Sequence, residues 1–168
     1  MRPAAALLLL ASCGYQPVHS VRDPLGPFAV VAGPVHAPDA ALAAEVAAGA
    51  RAELARAGEL GDRGAPAALE IELLRVDETS EGIALASPGL PLARAVRVAA
   101  LGRARLRRTG SAAVERDTGD VRASEAVARG AAAAPGLVLR DEAGRAAARR
   151  LGEVLVRRLL GFAEPGEP

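Results

Sequence analysis

The sequence contains no lysine, no asparagine and no tryptophan, and it has one cysteine, two histidines and three aromatic residues, Tyr15, Phe28 and Phe162. Each scarcity removes a class of chemistry. Without lysine there is neither a phosphate-binding loop of the GxxxxGK[ST] type nor a Schiff-base mechanism. One cysteine and two histidines, His19 and His36, do not make an ordinary four-ligand zinc site, so no metal is expected. Serine, histidine and aspartate all occur, but no GxSxG elbow accompanies them, and an enzyme is not expected. Single-stranded nucleic acid is held on aromatic platforms that three scattered rings do not build, so no nucleic-acid partner is expected. The longest apolar runs fall well short of the ~20 residues that cross a bilayer as a helix.

What is present starts at the leader. Arg2 precedes the apolar stretch Ala4 to Leu10, as in a secretory signal. Leu10-Ala11-Ser12-Cys13 resembles the bacterial lipobox, in which the leader is cut before the cysteine and the cysteine receives diacylglycerol and an N-acyl chain. Residues 1–12 are then a lipoprotein signal peptide, and the only bound group expected is this covalent lipid on Cys13. Two or more acyl chains are what stable anchoring needs, so the chain is expected to hold the membrane through its lipid. A lone cysteine forms no internal disulfide, which agrees with that role. Gly14 stands where an aspartate would retain such a lipoprotein at the inner membrane, so the expected location is the periplasmic face of the outer membrane.

Residues 13–27, with Pro17, Pro24 and Pro27, read as a lipidated tether. Residues 28–162 read as a single α+β domain, and 163–168 as a disordered tail. Phe28 to Ala32 is a short, partly β-branched strand that Gly33-Pro34 should end. After Asp39, a cap, Leu42, Val46, Ala50 and Leu54 recur every four residues in a helix that Gly58 should close; Glu53 falls near the edge of its stripe. In LEIELLRVDE, Leu69, Ile71 and Leu73 alternate with Glu70 and Glu72, and the break at Leu73-Leu74 suggests a bulge or change of face. SPGLP, residues 87–91, is a turn or loop. From Val96 the even positions through Leu106 are apolar or small, while Arg97, Arg103, Arg105 and Arg107 occupy odd ones, so a long strand should bury one set and carry an arginine ladder on the other face. RTGSA turns the chain, a fourth strand falls within 113–127, and ARGAAAAPG is a loop or frayed helical piece. A closing helix begins near Asp141 on the stripe Ala147, Leu151, Val154 or Leu155, and Leu159, with Arg157, Arg158 and Gly161 at its end. The order β-α-β-β-β-α gives a two-layer α+β sandwich: a mainly antiparallel sheet with two helices on one face.

Several segments together resemble the LptE-type lipopolysaccharide-assembly lipoproteins of the outer membrane. They are Cys13-Gly14-Tyr15 after the leader, ARAELARAG at 50–58, the alternating LEIEL, VRVAALGRARLRR running into a turn, DVRASEAV at 120–127 and DEAGRAAARRLGEVLVRRLL at 141–160. The resemblance implies a plug-like subunit seated in an LptD-type outer-membrane β-barrel, assisting its assembly and contacting lipopolysaccharide. Arginine binds phosphate and carboxylate in bidentate fashion, so Arg103, Arg105 and Arg107, with Arg97 second, are the candidate lipopolysaccharide contacts. An arginine-bearing strand face is equally what a solvated sheet, or a sheet lining a barrel lumen against acidic residues, presents. A periplasmic adaptor for a cell-wall synthase or an ABC-type transporter is the alternative function, since a small tethered α/β domain would serve there too.

Overall fold

A computed structural model describes residues 25–35, 40–86, 90–128 and 133–161. Cys13, the residues read as signal peptide and as tether up to Pro24, Asp39 and the residues read as a tail lie outside the described residues. The elements are β1 (Phe28–Val35), α1 (Ala40–Ala57), β2 (Ala67–Ala86), β3 (Leu90–Arg108), β4 (Val114–Asp117), β5 (Val121–Ala128) and α2 (Ala133–Leu160). The expected α+β sandwich forms: five strands make one sheet and both helices pack on one of its faces.

The sheet order is β1-β2-β3-β4, with β5 also paired to β3. All pairings are antiparallel except β1 with β2, which is parallel. A purely antiparallel meander is therefore not what forms at this end, because α1 carries the chain back along the sheet before β2 starts. β1 also runs past Gly33-Pro34, which were expected to stop it. As an edge strand it tolerates a proline, which removes a ladder donor only.

The long ribbon of β2 and β3 holds its register except between Leu73 and Arg75, where Leu74 is an extra residue. The bulge inferred from Leu73-Leu74 is thus present, and it changes which side chains of β2 point inward. Before it, Leu69, Ile71 and Leu73 are buried; after it, Val76 packs against the core and Glu78 reaches Arg140 of α2. On β3 the even positions Val96, Val98, Ala100, Ala104 and Leu106 are all buried, as the alternation required. The ribbon continues into the region read as a turn. β2 reaches Ala86 and β3 restarts at Leu90, five residues beyond the Glu81 and Ala95 pair where β5 gives out. At about 3.3 Å per residue this arm extends roughly 15 Å past the rest of the sheet.

Two further expectations are corrected. The fourth strand is two strands, β4 and β5, because the chain bends at Thr118-Gly119: the buried Thr118 accepts a hydrogen bond from the Ala104 N–H (3.0 Å) through its hydroxyl, and its own N–H donates to the Ala104 carbonyl (3.0 Å). Gly119 supplies the left-handed turn (φ 64°). The closing helix starts at Ala133 and not near Asp141, since Pro135 and Gly136 fall in its first turn, where a missing N–H breaks no helical bond.

Both helices run from the arm end of the sheet back to the other end, parallel to each other. Gly58 ends α1 with φ 73°, the Glu59 N–H donating to Leu54 and the Gly58 N–H to Ala55, a Schellman closure. Between the helices, backbone meets backbone. A Cβ on Gly49 would sit 2.0 Å from the Arg149 carbonyl oxygen, and one on Gly152 would sit 2.0 Å from that of Val46. Around this contact lie Leu54, Leu69, Leu73, Leu106, Leu151, Leu155 and Phe28, the one aromatic ring in the described core. Glu53 is 6% exposed and bonds Arg157 across the helix pair (2.8 Å), with Arg56 beside it.

Gly152→Ala is expected to force the helices apart and destabilise the protein by about 1–3 kcal/mol, the usual cost of overpacking. Gly144→Ala, whose new Cβ would lie 3.7 Å from its nearest neighbour, is expected to be neutral or to stabilise by up to ~1 kcal/mol through helix propensity. Urea unfolding of both variants checks the contrast: equal midpoints would count against the glycine contact as the limiting one.

Candidate functional site

The sheet face turned away from the helices carries the arginines singled out from the sequence, and all four are there. β3 holds them at alternate positions; β2 and the β4–β5 bend supply the acids. Register places Glu70 opposite Arg105 and Glu72 opposite Arg103. The side chains reach one step diagonally along the ladder instead, so Arg105 contacts Glu72 (3.5 Å) and Arg107 contacts Glu70 (3.2 Å). Diagonal cross-strand neighbours are within reach of long side chains.

On the other side Arg103 binds Asp120 (2.6 Å) and lies 3.9 Å from Asp117, while Arg105 donates to Asp117 (3.2 Å). Arg107 also donates to the Ala112 carbonyl (2.9 Å). Its Nε is enclosed and lies near Glu70 without the alignment of a hydrogen bond; the contact there is an ion pair by distance only. Farther along, Arg97 forks onto both oxygens of Glu81 and reaches Ser124 (3.2 Å). The bulge at Leu74 returns Glu81 to this face.

The ladder is therefore a lattice of alternating charge. Arg103 and Arg97 have pKa values raised by the hydrogen bonds they donate to Asp120 and Glu81 respectively, and the Arg97 contact holds the Glu81 carboxyl below its usual range. Burial pushes the Asp117 carboxyl up, but the Gly119 N–H with Arg105 and Arg103 outweighs it, and the net shift is downward. Solvent screens exposed pairs of this kind, so the lattice sets side-chain geometry more than it holds the fold. A phosphate approaching Arg103 or Arg105 meets carboxylates already in place.

The arginines were visible in the sequence as a period of two; their partners were not recognised as such. Glu70 and Glu72 carried the available signal, because charges of opposite sign at the same period on consecutive strands meet across a hairpin. Asp117 and Asp120 carried none, since only the bend at Thr118-Gly119 turns them toward β3. Among the described residues no group of three or more histidine, cysteine, aspartate or glutamate side chains is placed to hold a metal, and no helix is long and apolar enough to cross a membrane.

No protein-family description matches the chain, and no characterised protein matches it by sequence. Solved structures do match its fold. A Caulobacter crescentus protein described as a lipoprotein superposes with a TM-score of 0.53 at 11% identity, over 82% of this chain and 92% of its own. A minor lipoprotein of Acinetobacter baumannii gives 0.53 at 10% identity, over 83% of this chain and 98% of its own. At this identity the likeness is one of fold.

Carboxylates held below their ordinary range stabilise the folded state above that range, and this contribution is lost as pH falls through the folded value. For Asp117 the ordinary value is 3.8 and for Glu81 it is 4.5. The Asp117 contribution is therefore expected to be lost only as pH falls below 3.8, and the Glu81 contribution only as it falls below 4.5. The thermal midpoint of the Asp117→Asn, Glu81→Gln double variant should then drop less between pH 7 and pH 3 than that of the unaltered protein; an identical drop would show that other groups govern acid sensitivity.

Proposed function

We propose that the protein is a lipid-anchored envelope lipoprotein acting as an LptE-type plug: a subunit seated in an LptD-type outer-membrane β-barrel, assisting its assembly and the delivery of lipopolysaccharide to the outer leaflet. The observation that carries the reading is a fold shared with two bacterial lipoproteins over more than four-fifths of the chain, behind a leader that ends on Leu-Ala-Ser-Cys. In this reading Cys13 carries the lipid, the location is the periplasmic face of the outer membrane, and no reaction is catalysed.

The charge lattice suits such a seat. A protein enclosed by a polar barrel lumen must offer polar surface that does not depend on bulk water to balance its charge, and here each arginine of the ladder brings its own acid. Lipopolysaccharide contact through Arg103, Arg105 and Arg107, with Arg97, then proceeds by exchange: a phosphate takes the guanidinium fork from Asp117, Asp120 or Glu70, gaining charge-assisted bonds of the same kind. The β2–β3 arm extends past the rest of the sheet, and its sequence from Ile83 to Leu92 is mostly apolar.

Cys13→Ala is expected to abolish palmitate labelling and release the protein from the membrane fraction. The full chain, tagged at its C-terminus and purified in mild detergent, is expected to bring down a heat-resistant barrel. A photocrosslinker at Leu85 or Leu92 should reach that barrel more strongly than one at Arg51 on α1. Recovery of a cell-wall synthase or an inner-membrane permease in place of the barrel would replace the plug with the adaptor reading.

A further inference from the structure

The arginines of the ladder are occupied; others are not. Among the described residues Arg122 of β5 and Arg158 of α2 touch no carboxylate, and with Arg150 of α2 they line one open groove of about 490 Å³. Arg150 has only a long contact with Glu125 (3.5 Å) and is 62% exposed. The one acid in the lining, Asp120, is held by Arg103.

The fold brings these cations together from two layers. β5 pairs with β3 on one side only, so its other edge is open. Val121 and Ala123 turn inward beneath α2, which puts Arg122 and Ser124 on the opposite side of the strand. Arg150 and Arg158 stand on α2 two turns apart, about 12 Å. The β5 edge thus runs between one guanidinium on the sheet side and two on the helix side, and its outward N–H groups add further donors. Three like charges around one concavity repel each other; Arg150 also borders the adjoining groove lined by Glu125, Glu142 and Glu153, whereas of the two grooves Arg122 and Arg158 line this one alone.

We propose that this groove binds an anion with several phosphate or carboxylate oxygens, such as a phosphorylated lipid headgroup or a soluble sugar phosphate. Arginine's planar fork matches such oxygens in pairs and stays charged at any physiological pH. The volume falls in the ~300–1,000 Å³ range of small-ligand sites and exceeds what a single phosphate fills. The inference does not depend on the barrel: it concerns a different surface from the ladder and holds for whichever partner the tethered protein serves.

The test is calorimetric titration of the full chain in non-ionic detergent at low ionic strength, with inorganic pyrophosphate as the soluble probe and monomeric dihexanoyl phosphatidylglycerol as the headgroup probe. Arg122→Gln with Arg158→Gln is expected to weaken binding by about tenfold or more, the loss of two charge-assisted contacts. Arg51→Gln with Arg63→Gln, which remove two exposed cations elsewhere, should leave it unchanged. Binding of pyrophosphate alone, lost in the groove variant, supports a soluble phosphate ligand; binding of the lipid alone, lost in the same variant, supports a headgroup. Equal weakening by both pairs of substitutions, or no binding of either probe by a protein with an unaltered thermal midpoint, overturns the proposal.

Discussion

The backbone contact between the two helices, Gly49 against Arg149 and Gly152 against Val46, is the constraint on which the rest of the structure depends. Two parallel helices side by side normally stand 8–10 Å apart, separated by side chains. Here the missing Cβ atoms let the backbones touch, so both helices fit over a sheet only a few strands wide. β3 is shaped to receive them: its central inward positions are Ala100, Gly102 and Ala104, and a Cβ at Gly102 would come within 2.9 Å of Leu151. Small residues at the centre and leucines around it turn an alanine-rich composition into a dense core. Glu53 closes the same seam electrostatically, buried yet bonded to Arg157 and Arg56, where an unpaired carboxylate would cost several kcal/mol.

Because both helices are used on one face, the other face must be polar, and the sequence solves this with charges of both signs. Arginine supplies every cation, and its long stem can lie along a strand while its head reaches an acid one step away. The bulge at Leu74 belongs to the same solution. Without it, the parity of β2 would stay fixed along the whole ribbon, and Glu78 and Glu81 would exchange faces, losing Arg140 and Arg97 respectively. One inserted residue thus serves the helix layer and the charge lattice at once.

Much of this was legible in the sequence, and what was missed has a common cause. The stripes of α1 and α2, the alternation of β2 and β3, the bulge and the helix-ending glycines are local signals, repeated over a turn or a pleat. The split between β4 and β5, the parallel pairing of β1 and the acids that meet the arginine ladder depend on where distant segments come to rest. Thr118 illustrates the difference. In the sequence it is a polar residue beside a glycine; in the fold its hydroxyl meets the Ala104 N–H where a continuous fourth strand would have run. Gly49 and Gly152 stand in different helices, and only the fold shows that the backbone of the other helix lies against each of them. The groove at Arg122, Arg150 and Arg158 could not be separated from the ladder by composition, because paired and unpaired arginines look the same until their neighbours are known.

The direction of the chain adds a geometric consequence. β1 begins beside the start of β2, with Phe28 opposite Ala67, whereas the arm ends at Ala86, about 60 Å farther along the ribbon at 3.3 Å per residue. A tether running from Cys13 to Pro27 spans at most about 50 Å when fully extended. If lipid holds Cys13, the end of the domain that carries Phe28 is kept near the membrane, and the arm is the part free to stand farthest from it. The anion groove begins at Val121, beside Gly102 near the middle of the ribbon, between the two ends. The Phe28 end of the domain, the cationic groove and the β2–β3 arm are thus spread along one axis.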